Sequence, residues 1–425
     1  MNLLEELKWR GLYQDSTPGL ESCWSMPGVG AYAGFDPTAP SLHVGNLVVV
    51  MLLTHCRRYG LRPIAIVGGA TGMVGDPSGK SQERKLLDLE TLRANQAGVH
   101  AQLEKLIAQD SGGPDLLVLN NYDWFAQFTF LDFLRDVGKY FSINYMMAKD
   151  SVQNRLETGI SFTEFSYQLL QGYDFYHLFQ HHGCRLQVGG SDQWGNITTG
   201  IELVRKLTGG EAHGLTAPLL TRPDGSKFGK SEGENVWLDP ERTSPYKFYQ
   251  FWLNATDDEI SRLLKIFSLK TREEIESVME RHASEPHLRT AQKLLAAELT
   301  ERLHGKAALE TVLAATEALF GDAPLSILEG LSPQAFGQIF EGVPSTTLSR
   351  TWLEAGKNVV DLLAESGAAP SKSEARRLVQ GGGLKINKLK IASPDHVSTV
   401  GDLLAGRYLF IQSGKKKYHI VVFEP

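Results

Sequence analysis

Cysteine is scarce in this chain: Cys23, Cys56 and Cys184 are its whole complement in 425 residues. Three widely spaced thiols, odd in number, show no metal spacing and no disulfide framework, so a reducing compartment is expected. Long apolar runs are missing as well. LVVVMLL (47–53) stops well short of the roughly 20 residues a bilayer requires. The opening MNLLEELKWRGLYQD mixes acids with leucines and reads as a short amphipathic helix rather than a leader. No internal repeats or low-complexity tracts occur. A chain-wide positive charge is lacking too, since the net charge of −6 argues against wholesale coating of nucleic acid. A soluble, cytoplasmic protein with no membrane partner is expected.

One absence is closer to function. DGSKFGKSEG (224–233) and GDPSGKS (75–81) look like phosphate-binding P-loops, but that motif needs four residues between its glycines. Each stretch falls one residue short of it. Both are nevertheless glycine-rich loops that carry lysine.

With 42% hydrophobic and 22% charged residues, the chain is long enough for two or three domains with buried cores. Its first half alternates apolar strands with helical patterns. YAGFD (32–36) precedes a helix to about Tyr59, and RPIAIVGG (62–69) precedes one from about Leu89. DLLVLNN (115–121) is followed by helices near 128–137 and 161–181, and RLQVGG (185–190) by one to about Leu207. This alternation predicts an α/β fold, a Rossmann-like parallel sheet with helices on both faces. Ligands bind such sheets at the carboxyl ends of the strands. There the chain carries GFDPTAPSLHVGN, GGATGMVGDPSGK, NNYDW and GGSDQWGN, four loops that together make a large site.

The expected organisation is a catalytic domain over 1–217 and a connecting segment over 218–243 with a turn at Pro223-Asp224-Gly225. An α-helical domain over 244–322, a linker over 323–354 and a small α+β domain over 355–425 follow. Charge is uneven along this plan. Residues 371–390 carry Lys372, Arg376, Arg377, Lys385, Lys388 and Lys390 against Glu374, a local +5, which leaves the remainder at −11. Ser371-Lys-Ser-Glu374 has capping-box spacing and Gly381-Gly382-Gly383 ends that helix. Basic patches often serve only solubility, but concentration in one terminal module of an acidic chain favours RNA binding.

Several constellations have two readings each. His43 and Asn46, with Gly45 between them, fall at the start of an apolar helix, where unpaired N–H groups favour phosphate by up to about 2 kcal/mol; histidines at helix starts are also common. Lys227 and Lys230 flank Phe228-Gly229 and can swing over a polyphosphate as mobile point charges; a solvated turn has the same pattern. Tyr167, Gln171 and Asp174 share one helical face. Asp174 lies among Phe165, Tyr173, Phe175 and Tyr176, where a carboxylate is costly to bury without a donor, and a ligand hydroxyl or amine would be one; the stripe also suits a solvent face. Asp192 could accept from ribose hydroxyls while Gln193 offers an amide, or the pair could cap a helix.

The order of these pieces resembles the paired signatures of class I aminoacyl-tRNA synthetases, HIGH and KMSKS, here His43-Val-Gly45-Asn46 and Lys227-Phe-Gly-Lys230-Ser231. With GFDPTAPSLHVGNL, GGATGMVGDPSGK, NNYDW, ISFTEFSYQLLQGYDF, GGSDQWGN and KFGKSEG in sequence, the chain resembles the bacterial tyrosyl-tRNA synthetases from about Gly11 to its C-terminus. SKSEARRLVQGGGLKIN resembles their terminal S4-like RNA-binding domain. Asn46 departs from the last histidine of HIGH, keeping an amide donor, and Phe228 and Gly229 depart from Met and Ser of KMSKS, while both lysines remain.

That resemblance implies a tyrosine–tRNA ligase. Tyrosine and ATP, with accompanying Mg2+ and no permanently bound metal, would form tyrosyl-adenylate and pyrophosphate, and the tyrosyl group would pass to the terminal adenosine of tRNA(Tyr). By resemblance Tyr32 and Asp174 hold the phenol, Asp76, Tyr167 and Gln171 surround the ammonium, and Gln193 lies near the carboxylate. Gly34, Asp36, Thr38, His43, Gly45, Asn46, Gly190, Asp192 and Lys230 contact ATP. Lys80, Arg84, Lys227 and Lys230 stabilise the departing pyrophosphate, and Lys372, Arg376, Arg377 and Lys388 bind tRNA. A homodimer and no editing domain are implied. Two rivals are a tryptophanyl-tRNA synthetase, opposed by the Tyr32/Asp174 pair and the terminal module, and an RNA-binding protein that has lost catalysis, opposed by the intact lysine pair and acids.

Overall fold

A computed structural model describes residues 2–26, 28–78, 87–109, 113–156, 159–221, 225, 228–231, 234–321, 336–337, 339–340, 344–414 and 417–424. They fall into two compact units, Met1–Thr243 with Gln250–Leu303, and Ser244–Tyr249 with His304–Pro425.

The first unit is built on six strands: β1 (Asp15–Ser16), β2 (Gly30–Phe35), β3 (Arg62–Val67), β4 (Leu117–Asn120), β5 (Cys184–Gly190) and β6 (His213–Ala217). They lie side by side in the order β1-β6-β5-β2-β3-β4. β2 to β6 are parallel, and the short edge strand β1 runs antiparallel to β6. The four strands expected from the sequence form, and β6 and β1 extend the sheet beyond them. Parallel strands need cover on both faces, and the apolar helix Leu47–Arg58 is one such cover, with Val50, Met51, Leu52 and Leu53 buried. Helices Phe162–His182 and Trp194–Thr208 pack so closely that a Cβ on Gly200 would sit 2.8 Å from that of Phe175. From β2 the chain builds outward through β3 and β4, then resumes on the other side of β2 with β5 and β6. The strand order therefore reverses between β2 and β5, where a crevice forms at the carboxyl ends.

The Pro223-Asp224-Gly225 turn is described only at Gly225. Downstream, β7 (Lys230–Ser231) pairs antiparallel with β8 (Glu234–Asn235). Of the helices that follow, those within 250–303 fall in the same compact unit as the sheet. Arg10 shows why. Its guanidinium is almost fully buried, pairs with Glu6 at 2.6 Å, and donates to the carbonyls of Lys265, Ser268 and Lys270. Those carbonyls lie at and just beyond the end of helix Asp257–Phe267, so the N-terminal helix and this helix share one core.

In the second unit a five-stranded sheet has the order β11-β10-β12-β13-β9, from β9 (Ser345–Ser349), β10 (Leu384–Ile386), β11 (Leu389–Lys390), β12 (Tyr408–Ser413) and β13 (Lys417–Glu424). β9 and the short helix Thr351–Glu354 fall inside the stretch expected to be linker. β9 is recruited because β13 would otherwise present an unpaired edge, and the two pair in parallel from Ile420↔Ser345 to Glu424↔Ser349. Helices Val359–Glu365 and Lys372–Gln380 bury Val360, Leu362, Leu363, Ala375 and Val379 against this sheet. Ser371 caps the second helix, its hydroxyl accepting from the Glu374 N–H at 3.3 Å, and Gly381 ends it.

Candidate active site

The crevice between β2 and β5 gathers polar groups from all four strand-end loops. Asp174, on the helix Phe162–His182, is buried rather than facing solvent. Asn121 Nδ2 donates to its Oδ2 at 3.0 Å and Trp124 Nε1 to its Oδ1 at 2.9 Å. The protein itself thus supplies the donors that the sequence left to a ligand. Burial pushes the Asp174 carboxyl up to about 8, against these two hydrogen bonds and with the nearby Asp36 charge adding to the rise. Beside it, Tyr32 lies across from Gln187 where β2 meets β5. The Tyr32 hydroxyl and Gln187 Oε1 are both buried, and neither has a hydrogen-bond partner among the described residues. Burial and then the charge of Asp174 hold the phenol far above its ordinary range, with the neighbouring Gln187 side chain opposing the rise, so it stays a neutral donor.

A second cluster sits towards β5. Gln193 Nε2 donates to Asp76 Oδ2 at 2.7 Å, and Asn196 Nδ2 reaches Gln171 Oε1 at 3.2 Å, Gln193 Oε1 at 3.1 Å and Asp76 Oδ1 at 3.4 Å. Asp76, Gln171 and Gln193 are therefore one network, joined through Asn196. Tyr167 is directed elsewhere: its hydroxyl donates to Asp36 Oδ2 at 2.9 Å, while Thr71 Oγ1 donates to Asp36 Oδ1 at 2.7 Å. Asp36 also lines an adjoining cavity of about 390 Å³, together with Thr38, His43, Asn46, Gly72 and Trp237 among others.

Local sequence explains that cavity's wall. His43 caps the first turn after β2; its Nδ1 accepts from the Gly45 N–H at 3.1 Å, while Asn46 Oδ1 accepts from the His43 N–H at 2.9 Å. This reciprocal cap spends the Asn46 oxygen and the His43 Nδ1 on the backbone, so the turn is held rigid. Against it lies the loop before β7. Gly229 has φ +90°, and a Cβ there would come within 3.0 Å of the Gly45 nitrogen, so glycine is required on both counts. The Gly229 carbonyl accepts from the Val236 N–H, and the Val236 carbonyl in turn accepts from the Val44 N–H, both at 2.9 Å. Phe228 anchors the loop in a cluster with Phe251, Trp252 and Phe267. The two departures at 228 and 229 are thus accommodated by an aromatic socket and a close backbone approach.

Gly34 leaves open space at the end of β2, and at Gly190 a Cβ would meet Asp192 Oδ1 at 2.6 Å. Lys80, Arg84 and Lys227, and the side chain of Lys230, lie outside the described residues. In the second unit, Arg376 and Arg377 are exposed and Lys372 pairs with Asp361 at 2.6 Å. Lys388 differs from them, because its ammonium donates to the Gly321 carbonyl at 2.8 Å. Sequence reasoning did not single out Asn121, Trp124, Thr71 or Asn196. Their signal was present in NNYDW, GGATG and GGSDQWGN, whose positions at strand ends already marked them.

A parallel sheet with a crevice at its order reversal defines an open α/β fold of the kind that binds ligands at the carboxyl ends of its strands. Residues 27–321 match the model of the class I tRNA synthetases (W and Y), and the chain belongs to that family. Residues 335–421 match the tyrosine–tRNA ligase SYY-like C-terminal domain. The chain is 52% identical to a tyrosine–tRNA ligase of Bacteroides fragilis, over 99% of this chain and 100% of that one. It is 49% identical to that of Flavobacterium psychrophilum, over 99% of each. A C-terminally truncated mitochondrial tyrosyl-tRNA synthetase of Aspergillus nidulans superposes with a TM-score of 0.68 at 35% identity, over 75% of this chain and 94% of that one. A tryptophanyl-tRNA synthetase of Encephalitozoon cuniculi shares the fold at TM-score 0.53 and 14% identity, over 72% of this chain and 87% of that one.

Proposed function

We infer that the chain activates L-tyrosine with ATP, forming tyrosyl-adenylate and pyrophosphate, and transfers tyrosine to the 3′-terminal adenosine of tRNA(Tyr). The observation that carries this reading is the buried, unpartnered Tyr32 hydroxyl beside the carboxyl of Asp174. A phenol entering there accepts from one and donates to the other, whereas a side chain without a hydroxyl leaves Tyr32 unpaired. The Asp76–Gln171–Gln193 network, with Tyr167 beside it, receives the ammonium and carboxylate. Asp36, Thr38, His43, Gly45 and Asn46 hold ATP in the adjoining cavity, with Gly34 leaving open space beside it, Gly190 contacting it and Asp192 taking the ribose.

The substrate carboxylate oxygen attacks the α-phosphorus, and the bond to the bridging oxygen of pyrophosphate breaks. No protein nucleophile or general base is required. Alignment supplies up to about 7–11 kcal/mol of the barrier, and Lys80, Arg84, Lys227 and Lys230, with Mg2+ carried in by ATP, neutralise the leaving charge.

Arg376, Arg377 and Lys372 contact tRNA phosphates; Lys388, held by a backbone carbonyl, contributes less. The protein acts in the cytoplasm as a homodimer. Supporting this, Phe130, Leu131, Ile143 and Phe162 are 63–74% exposed on segments that pack around one apolar cluster, a surface suited to a second copy. Tyrosine-dependent exchange of labelled pyrophosphate into ATP tests the central reading. Exchange driven equally by tryptophan or phenylalanine, or none with any amino acid, would overturn it.

A further inference from the structure

The last turns of helix Phe162–His182 carry three histidines that the proposed reaction does not use: His177, His181 and His182. His177 and His181 are one helical turn apart and share a face. Their ring centroids are 4.5 Å apart, whereas His182 stands 6.1 Å from His177. His181 is exposed and His177 half-buried, so the pair opens to solvent on one side. On the other side His177 stacks on Trp124, with centroids 4.4 Å apart and planes 17° from parallel, which restrains its ring.

The i, i+4 spacing is the one by which a helix offers two histidines to zinc, whose imidazole nitrogens bind at about 2.0–2.1 Å. We propose that His177 and His181 form a two-imidazole chelate site for a divalent transition-metal ion, with water completing the coordination. No third histidine, cysteine or carboxylate completes a metal-holding group among the described residues. Such a nitrogen-donor site takes Cu2+ ahead of Ni2+ and Zn2+. The ion would sit one ring away from Trp124, whose indole holds Asp174. Occupancy is therefore sensed beside the pocket proposed for tyrosine.

The test is calorimetric titration of the full chain with CuCl2 alone, repeated with His181→Ala and His182→Ala and followed in parallel by tryptophan fluorescence. His181 is exposed, so its replacement leaves the fold intact. Losing one arm of a chelate should weaken binding by about 100-fold in His181→Ala, with the Cu2+-dependent quenching lost at the same concentrations. His182→Ala should bind as the parent does. Equal affinity in the parent and His181→Ala, or equal loss in His182→Ala, would overturn the assignment. The titration involves no aminoacylation, so its failure leaves the proposed reaction untouched.

Discussion

Trp124 Nε1 donates to Asp174 Oδ1 at 2.9 Å, from the short helix Tyr122–Phe125, 50 residues away in sequence. This bond, with its Asn121 counterpart, fixes the Asp174 carboxyl at one end of the pocket proposed for tyrosine. Trp124→Phe keeps a ring for His177 to stack on but removes the donor. Thermal or denaturant melts should show a loss of about 1–3 kcal/mol, and the KM for tyrosine in pyrophosphate exchange should rise roughly tenfold. An unchanged KM would mean that Asp174 needs no such support.

Tyr32→Phe separates folding from recognition. The hydroxyl is buried without a partner, so its removal should leave the stability of the empty protein unchanged or slightly raised. Tyrosine binding should nevertheless weaken by about 2–10-fold, the worth of one hydrogen bond of roughly 0.5–1.5 kcal/mol. Equilibrium dialysis with labelled tyrosine and a parallel melt would read the two effects. A destabilised variant with normal affinity contradicts the assignment.

The raised pKa of Asp174 has a definite sign in stability. Its folded value of about 8 lies above the ordinary carboxylate value of 3.8, so the native state holds a proton that the unfolded chain releases. The contribution is whole below about pH 4 and is lost as pH rises towards and through 8. Asp174→Asn, which cannot ionise, should remove this slope. The stability difference between parent and variant, measured at several pH values from 5 to 9 without substrate, should move against the parent as pH rises.

Gly229→Ala places a Cβ against the Gly45 nitrogen at a positive φ. The loop must shift, at about 1–3 kcal/mol. Because this loop bears on the cavity proposed for ATP and not on the end proposed for the phenol, kcat for pyrophosphate exchange should fall about tenfold while the KM for tyrosine stays within about twofold.

Replacing Arg376 and Arg377 together with Ala should weaken tRNA charging while adenylate formation continues at the parental rate. The salt dependence of tRNA affinity should flatten by about two phosphate contacts. Equal losses in exchange and charging would count against a division of labour between the two units.

The strand–helix alternation was legible because a parallel strand buried on both faces reads as an apolar run, as RPIAIVGG and RLQVGG do. β6 was harder to see. HGLTA mixes polar and small residues, and they are buried because Thr17, Ser22 and the edge strand β1 meet their polar groups. β9, STTLS, alternates between exposed and half-buried along a sheet edge and depends on β13 for its pairing. Over 244–322 the helical periodicity reports that a face is apolar, not what it packs against.

Sequence alone determined which residue types stand at each strand end, the spacing that puts Tyr167, Gln171 and Asp174 on one face, and the charge that gathers between 371 and 390. These follow from local geometry, since helical and strand periods are properties of the backbone. The tertiary structure decided which of these groups meet. It gave Asp174 its donors from the β4 loop, tied Tyr167 to Asp36 and withheld a partner from Tyr32. Such pairings depend on how separate chain segments cross in space. Burial then makes each satisfied or unsatisfied group matter far more than it would in water.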